Sequence, residues 1–148
     1  MTKILITGSS GFVGKSLTEK LKNNRDYYLL TPTHKQLDIS SFSELKTYLK
    51  AIKPNFIIHA AKVGGRRMDY DGLLTYDENT IMYENILKCK DLELFDYLIS
   101  FGSGFEYNNK YNIYNVKEGN FRWIPQTFYG KAKQDCYYWS RKNNNIAY

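Results

Sequence analysis

The sequence predicts an α/β fold: a doubly wound parallel sheet in three αβα layers. Three observations predict it. Short apolar runs ("KILITG", "YYLLT", "NFIIHAA", "FDYLISFGSG") alternate with helix-length segments. The runs are apolar throughout rather than at every second residue, which suits strands buried on both faces. Each gap is long enough for a crossover helix, so neighbouring strands are expected to be parallel with right-handed connections. By length, the 148 residues form one domain with a sizeable core.

The elements follow in order. "KILITG" ends in a glycine and reads as the first buried strand. "GFVGKSLTEKLKNN" carries Phe12, Val13, Leu17 and Leu21 near helical spacing. "YYLLT" is the second strand, and "QLDI" a possible short one. "SSFSELKTYLKAIKP" opens on serines suited to helix capping, places Phe42, Leu45, Leu49 and Ile52 on one face, and closes before Pro54. "NFIIHAA" is a strand. "YDENTIMYENILKCKDLEL" is helical, with Ile81, Asn85 and Lys88 on one stripe and Met82, Ile86 and Leu87 nearby. "FDYLISFGSG" is a strand ending at a Gly-containing turn. Residues 105 to 128 are irregular and aromatic, "YGKAKQDCYYWSRK" is the last helix, and "NIAY" begins another strand.

The formal charge is +6, but the lysines are scattered without a block of like charge. That pattern indicates a solvated surface and room for anionic small ligands, with neither nucleic acid nor membrane as partner. Cys89 and Cys136 form no CxxC and no metal-like spacing, so free thiols and no metal are expected. "MTKILITG" lacks the features of a secretion signal, and no stretch approaches a membrane span of about 18 apolar residues. A cytoplasmic protein is expected.

"TGSSGFVG" follows the first strand and opens the first helix, with glycines at Gly8, Gly11 and Gly14. Glycine permits a tight turn and close backbone approach. The helix start offers free N–H groups and a positive dipole end, which together suit a pyrophosphate. This is a Rossmann-type dinucleotide signature in its proper strand-to-helix setting. A ribose-binding acid is expected near the end of the second strand, yet "LLTPTHKQ" contains no carboxylate. Thr33, His34 and Lys35 could meet a 2′-phosphate there, which favours NADP while leaving NAD possible. Asp38 could accept from the adenine amino group or simply cap the turn before Ser40.

Chemistry with a nicotinamide needs an acid/base for the oxygen whose carbon gains or loses hydride. "FYGKAK" places Tyr129 and Lys133 four apart on one helical face. An ammonium near a phenol favours the phenolate and lowers its pKa. In a chain rich in Tyr and Lys, chance alone supplies about one or two such pairs, and a second one occurs at Tyr138 and Lys142. Context favours the first, because Tyr129 opens its helix after a loop and follows a strand that ends near Ser103. The Ser103 hydroxyl could bond the same substrate oxygen.

The pieces "TGSSGFVG", "LDI", "HAAKVGG", "ENTIMYENIL", "ISFGSGFEY" and "YGKAK" resemble, in order and spacing, the extended short-chain dehydrogenase/reductase family, whose members act on nucleotide sugars. "HAAKVGG" is similar to the GDP-fucose synthases, and the later segments to epimerase/dehydratases of surface-polysaccharide pathways. The resemblance implies that residues 1–148 form an NAD(P)-binding Rossmann domain, incomplete at its C-terminus, of a protein acting on a nucleotide sugar. It makes Ser103, Tyr129 and Lys133 the catalytic triad. Gly8, Ser10, Gly11, Phe12, Val13 and Gly14 would lie on the pyrophosphate, and Asp38 and Ile39 on the adenine. Ala60, Ala61 and Lys62 would meet the middle of the cofactor, with Tyr129 and Lys133 at its nicotinamide end. Asn79 would support the site from the neighbouring helix, and His59 is a structural strand residue.

Two departures narrow the chemistry. Sugar dehydratases carry an Asp-Glu pair where this chain has Gly104 and Phe105. Glu106 is displaced by one and, in a strand, would point the other way. The epimerising cysteine of the fucose synthases is replaced by Phe105. Ketone reduction or simple 4-epimerisation is therefore favoured over dehydration. The family also continues beyond this length, so missing C-terminal strands, a missing substrate domain and possible loss of turnover are expected. An unfinished sheet edge invites pairing, and a homodimer is expected.

Overall fold

The computed structural model describes residues 1–148 apart from 67, 109 and 112–113. The strands are β1 (Thr2–Thr7), β2 (Tyr27–Leu30), β3 (Phe56–His59), β4 (Tyr97–Ser100) and β5 (Ile146–Ala147). The helices are α1 (Phe12–Leu21), α2 (Phe42–Ile52), α3 (Leu73–Asp91) and α4 (Phe128–Ser140), with a 3₁₀ turn at Gly104–Glu106. The strands form one parallel sheet in the order β2-β1-β3-β4-β5.

The side-chain alternation of the strands makes the layers. Leu5, Ile57 and Leu98 face Leu45, Leu49, Met82, Tyr83, Ile86 and Cys136 from α2, α3 and α4. Ile4, Ile6 and Ile58 face the other way, against Leu17 and Leu21 of α1. Leu5 and Ile6 are both wholly buried, so β1 is covered on both faces, as its continuous apolar run requires. The chain moves one way from β1 to β2 and the other way from β3 onward. The reversal lies between β1 and β3, where Thr7 pairs with His59. A crevice opens at the carboxyl ends of strands at such a reversal.

Local chemistry sets the helix ends. Ser41 caps α2 through Glu44 N, while Glu44 Oε2 accepts from Asp38 N at 2.9 Å. Lys53 then takes a left-handed conformation (φ 50°) before Pro54. In α3 the buried face comprises Thr75, Asn79, Met82, Tyr83, Ile86 and Cys89, joined by Asn85. Ile81 and Lys88 are exposed, so the expected stripe is displaced by one residue. Asn85 is spent on the Ile39 and Ser40 carbonyls.

"QLDI" forms turns instead of the possible short strand. Gln36 Oε1 accepts from Thr33, and Asp38 Oδ1 accepts from both the amide and hydroxyl of Ser40. These local bonds satisfy groups that a strand would need for pairing. Leu37 and Ile39 still bury their side chains in the α2–α3 core. The segment 105–128 contains little regular structure beyond the 3₁₀ turn, and its positions 109 and 112–113 lie outside the described residues. Cys89 and Cys136 are free and buried. No described helix is long and apolar enough to cross a membrane.

Candidate active site

The crevice at the β1–β3 reversal is built by close backbone contact. A Cβ on Gly8 (φ 68°) would stand 2.5 Å from Ala61 N and 2.6 Å from Ala60 C. A Cβ on Gly14 would stand 2.2 Å from Gly8 O. Gly8 thus lets the loop touch the end of β3, and Gly14 lets α1 pack against the loop. Gly11 is different: its Cβ would meet only Gly8 O, at 3.2 Å. Gly11 also caps α1 with no side-chain hydrogen bond, and the first turn contains no acid. The positive helix end is therefore available to an anion.

Two clefts meet at this loop. One, of ≈ 710 Å³, runs past Ser10, Gly11, Phe12 and Val13 to Tyr129 and Lys133. The other, of ≈ 510 Å³, runs toward Thr33, His34, Asp38 and Ile39. They share Gly8, Ser10, Ala61 and Lys62, so they form one elongated crevice. Phe12, expected on the pyrophosphate, is 93% exposed at its rim.

Most expected site residues line this crevice. Ala60, Ala61, Lys62, Asp38 and Ile39 do so together with the loop. Lys35 is not in the lining. Gly14 serves packing. Asn79 braces the crevice wall: its Oδ1 accepts from Val63 N, and its Nδ2 donates to Val63 O and Thr75 O. Asp38 both lines the crevice and holds the turn to Ser40, which keeps its carboxyl below the usual range. His59 is 3% exposed, lies beside Thr7 Oγ1 at 2.8 Å, and is pushed down to about 3 by burial.

Tyr129 and Lys133 sit on the first two turns of α4, both nearly buried. Thr127 Oγ1 accepts from Gly130 N at 2.9 Å. Asp71, far away in sequence, accepts from Phe128 N and Tyr129 N, each at 2.9 Å. Lys133 Nζ donates to Phe101 O at 3.0 Å, and burial lowers its pKa. Lys62 Nζ lies 5.4 Å from the Tyr129 ring centre. Burial raises the Tyr129 phenol, with Ser103 opposing the shift. The lowering expected from Lys133 is not among the influences on the phenol, and Glu106 and Cys136 add to the rise that burial causes.

Ser103 is half-buried and caps the 3₁₀ turn, its Oγ accepting from Phe105 N at 3.2 Å. Glu106 is not in a strand. The turn rotates it inward, where it is 4% exposed and accepts from Ser103 N at 2.6 Å. Tyr138 is 44% exposed and does not line the crevice, and Lys142 lies beyond α4. The second Tyr-x-x-x-Lys match is therefore separate from the site.

The sequence profile of the NAD dependent epimerase/dehydratase family matches residues 4–144. The chain belongs to this family. Among family relatives, GDP-L-colitose synthase of Yersinia pseudotuberculosis is 39% identical over 107 residues, which is 71% of this chain and 34% of that protein. GDP-6-deoxy-D-talose 4-dehydrogenase of Aggregatibacter actinomycetemcomitans is 33% identical over 58% of this chain and 29% of its own length. The chain thus spans about a third of the length of these curated relatives. The fold superposes on GDP-mannoheptose C4 reductase from Campylobacter jejuni with NADP bound, with a TM-score of 0.79 and 21% identity. That likeness covers 97% of this chain and 47% of the reductase. A GDP-L-fucose synthetase from Naegleria fowleri gives a TM-score of 0.80 at 22% identity, over 95% of this chain and 44% of the other.

Asp71, Gly65 and Glu106 are the site residues that sequence reasoning missed. Gly65 (φ 81°) packs against the phenol: a Cβ there would lie 2.6 Å from Tyr129 Cζ. "VGG" was a visible signal for such close approach. Nothing local marks Asp71, whereas Glu106, expected to point away in a strand, stands three residues after Ser103 in capping-box spacing.

Proposed function

We propose that this chain is the NADP-binding part of a nucleotide-sugar oxidoreductase or epimerase of surface-polysaccharide biosynthesis. One observation carries the reading: a single crevice joins the glycine loop at the α1 start to Tyr129 and Lys133. The residues fit a dinucleotide. The backbone of Gly8–Val13 and the dipole end of α1 suit the diphosphate. Asp38 and Ile39 line the adenine end. Thr33 and His34 line the same end, together with the Asp38 and Glu78 carboxylates, and offer a hydroxyl and an imidazole to a 2′-phosphate. When bound, the nicotinamide supplies or accepts hydride.

The protein groups do the rest. Tyr129 is the acid/base for the sugar oxygen, and Ser103 holds that oxygen in reach. Lys133 anchors the far end of the crevice and favours the phenolate once charged. Gly104 and Phe105 leave no Asp-Glu pair for dehydration, which supports ketone reduction or 4-epimerisation.

NADPH is expected to bind the full chain in a fluorescence titration, more tightly than NADH. No binding of either at millimolar concentration would overturn the reading. Turnover is then assayed with a nucleotide 4-keto-6-deoxy sugar, and equal rates for wild type and Tyr129→Phe would remove the phenol from the chemistry. A second reading of these residues is a cofactor-binding unit without turnover, because the crevice lining includes Tyr129 and Lys133 but not Ser103. NADPH binding with no hydride transfer would select it. The reading also carries a cytoplasmic setting and self-association through the short β5 edge. Light scattering is expected to give a dimer mass, and a monomer at high concentration refutes it.

A further inference from the structure

Three oxygens meet beneath the Ser103 turn. Tyr148 Oη lies 3.0 Å from Glu106 Oε1 and 2.7 Å from the Lys133 carbonyl. A phenol has one hydrogen to donate, so it cannot satisfy both acceptors. If Glu106 were ionised, one short oxygen–oxygen contact would hold no proton. If Glu106 carries a proton, both short contacts hold one. Glu106 then donates from Oε1 to Tyr148 Oη, Tyr148 donates to Lys133 O, and the same Oε1 accepts from Ser103 N at 2.6 Å. Gln134 Nε2 fixes the Glu106 backbone by donating to its carbonyl at 3.1 Å.

We propose that Glu106 is a neutral carboxylic acid that positions the site, its proton chain through Tyr148 tying the Ser103 turn to the helix bearing Tyr129 and Lys133. Burial acts the same way, raising the Glu106 carboxyl above its ordinary value. Against burial, the Ser103 amide, the Tyr148 contact and Lys133 favour the carboxylate, while Glu118 opposes it, yet the net direction is upward; Tyr107, Tyr129 and Cys136 are the other titratable groups facing it. Lys133 directs its Nζ to Phe101 O instead. An ionised Glu106 would add a negative charge that resists phenolate formation at Tyr129. A neutral one avoids that cost. This consequence rests on the proposed function, whereas the protonation state does not.

The test is a pH titration of side-chain carboxyl carbons by NMR on the full chain labelled at Glu. The Glu106 resonance is assigned by its loss in Glu106→Gln. Its midpoint is expected above the ordinary carboxyl value of 4.5. A midpoint at or below that value would overturn the proposal. Tyr148→Phe separates the two hydrogen-bond directions. If Tyr148 accepts from the acid, the midpoint falls; if Tyr148 donates to a carboxylate, it rises, and the proposal fails. Stability gives a second readout. The native acid retains a proton that the unfolded chain releases, so stability falls as pH rises from about 4.5 to the folded midpoint. Glu106→Gln is expected to remove that fall, and an unchanged slope counts against the proposal. NADPH affinity is read on the same samples, so loss of the cofactor reading is seen separately from loss of this one.

Discussion

A Gly14→Ala variant is expected to melt about 6–12 °C below the wild type and to lose NADPH affinity by about a hundredfold. The cause is steric. The added methyl would stand 2.2 Å from Gly8 O and 2.8 Å from Gly8 C and Ser9 Cα. All three are main-chain atoms, so no rotamer change relieves the contact. Helix α1 must move away from the loop, and overpacking of this kind costs about 1–3 kcal/mol or more. The movement also withdraws the positive helix end from the crevice. Gly104→Ala is the matched control, because a Cβ there meets nothing within 4 Å. Melting temperature and NADPH titration are measured on both. Wild-type affinity in Gly14→Ala would remove the phosphate cradle from the account.

Lowering the pH from 8 to 5 is expected to remove about 2 kcal/mol of stability through His59 alone. The folded pKa is about 3 because the ring is buried, with Lys133 adding to the effect. The unfolded ring takes up its proton below about 6.5. Between these values the unfolded state binds more protons, so stability falls as pH falls. For a chain of this size that corresponds to about 4–8 °C in melting temperature. Glu106 works in the opposite sense above about 4.5, so the net change is read in Glu106→Gln as well as in wild type. The direct check is the His59 ring signal by NMR, which should stay constant from pH 8 to pH 5. A ring that titrates above pH 6 would contradict the burial argument.

The fold was legible because its signals are local. Continuous apolar runs, a serine cap at Ser41 and a stop at Pro54 each act within a few residues, and all five strands fall on predicted runs. "QLDI" misled because its apolar residues are buried by turns, with Gln36 and Asp38 bonding their own neighbours. The stripe on α3 was displaced because Asn85 is buried for two specific carbonyls and not for its hydropathy.

The candidate site was legible where chemistry is written in spacing, as in Gly8–Gly14 and Tyr129–Lys133. It was not legible where partners are distant. Asp71 reaches Tyr129 across 58 positions, and Tyr148 reaches Glu106 across 42. The inward turn of Glu106 depends on a 3₁₀ geometry that strand alternation does not anticipate. The expected depression of the Tyr129 pKa overlooked desolvation, which burial of the ring makes the larger influence.

The grip of Asp71 on two consecutive amides has a cost-saving side. A single contact would let the first turn of α4 swivel about it; two contacts from one rigid carboxylate act as a pair of pins. The phenol's bearing is therefore set when the polypeptide folds, and an arriving sugar need not spend its own adhesion on ordering that turn.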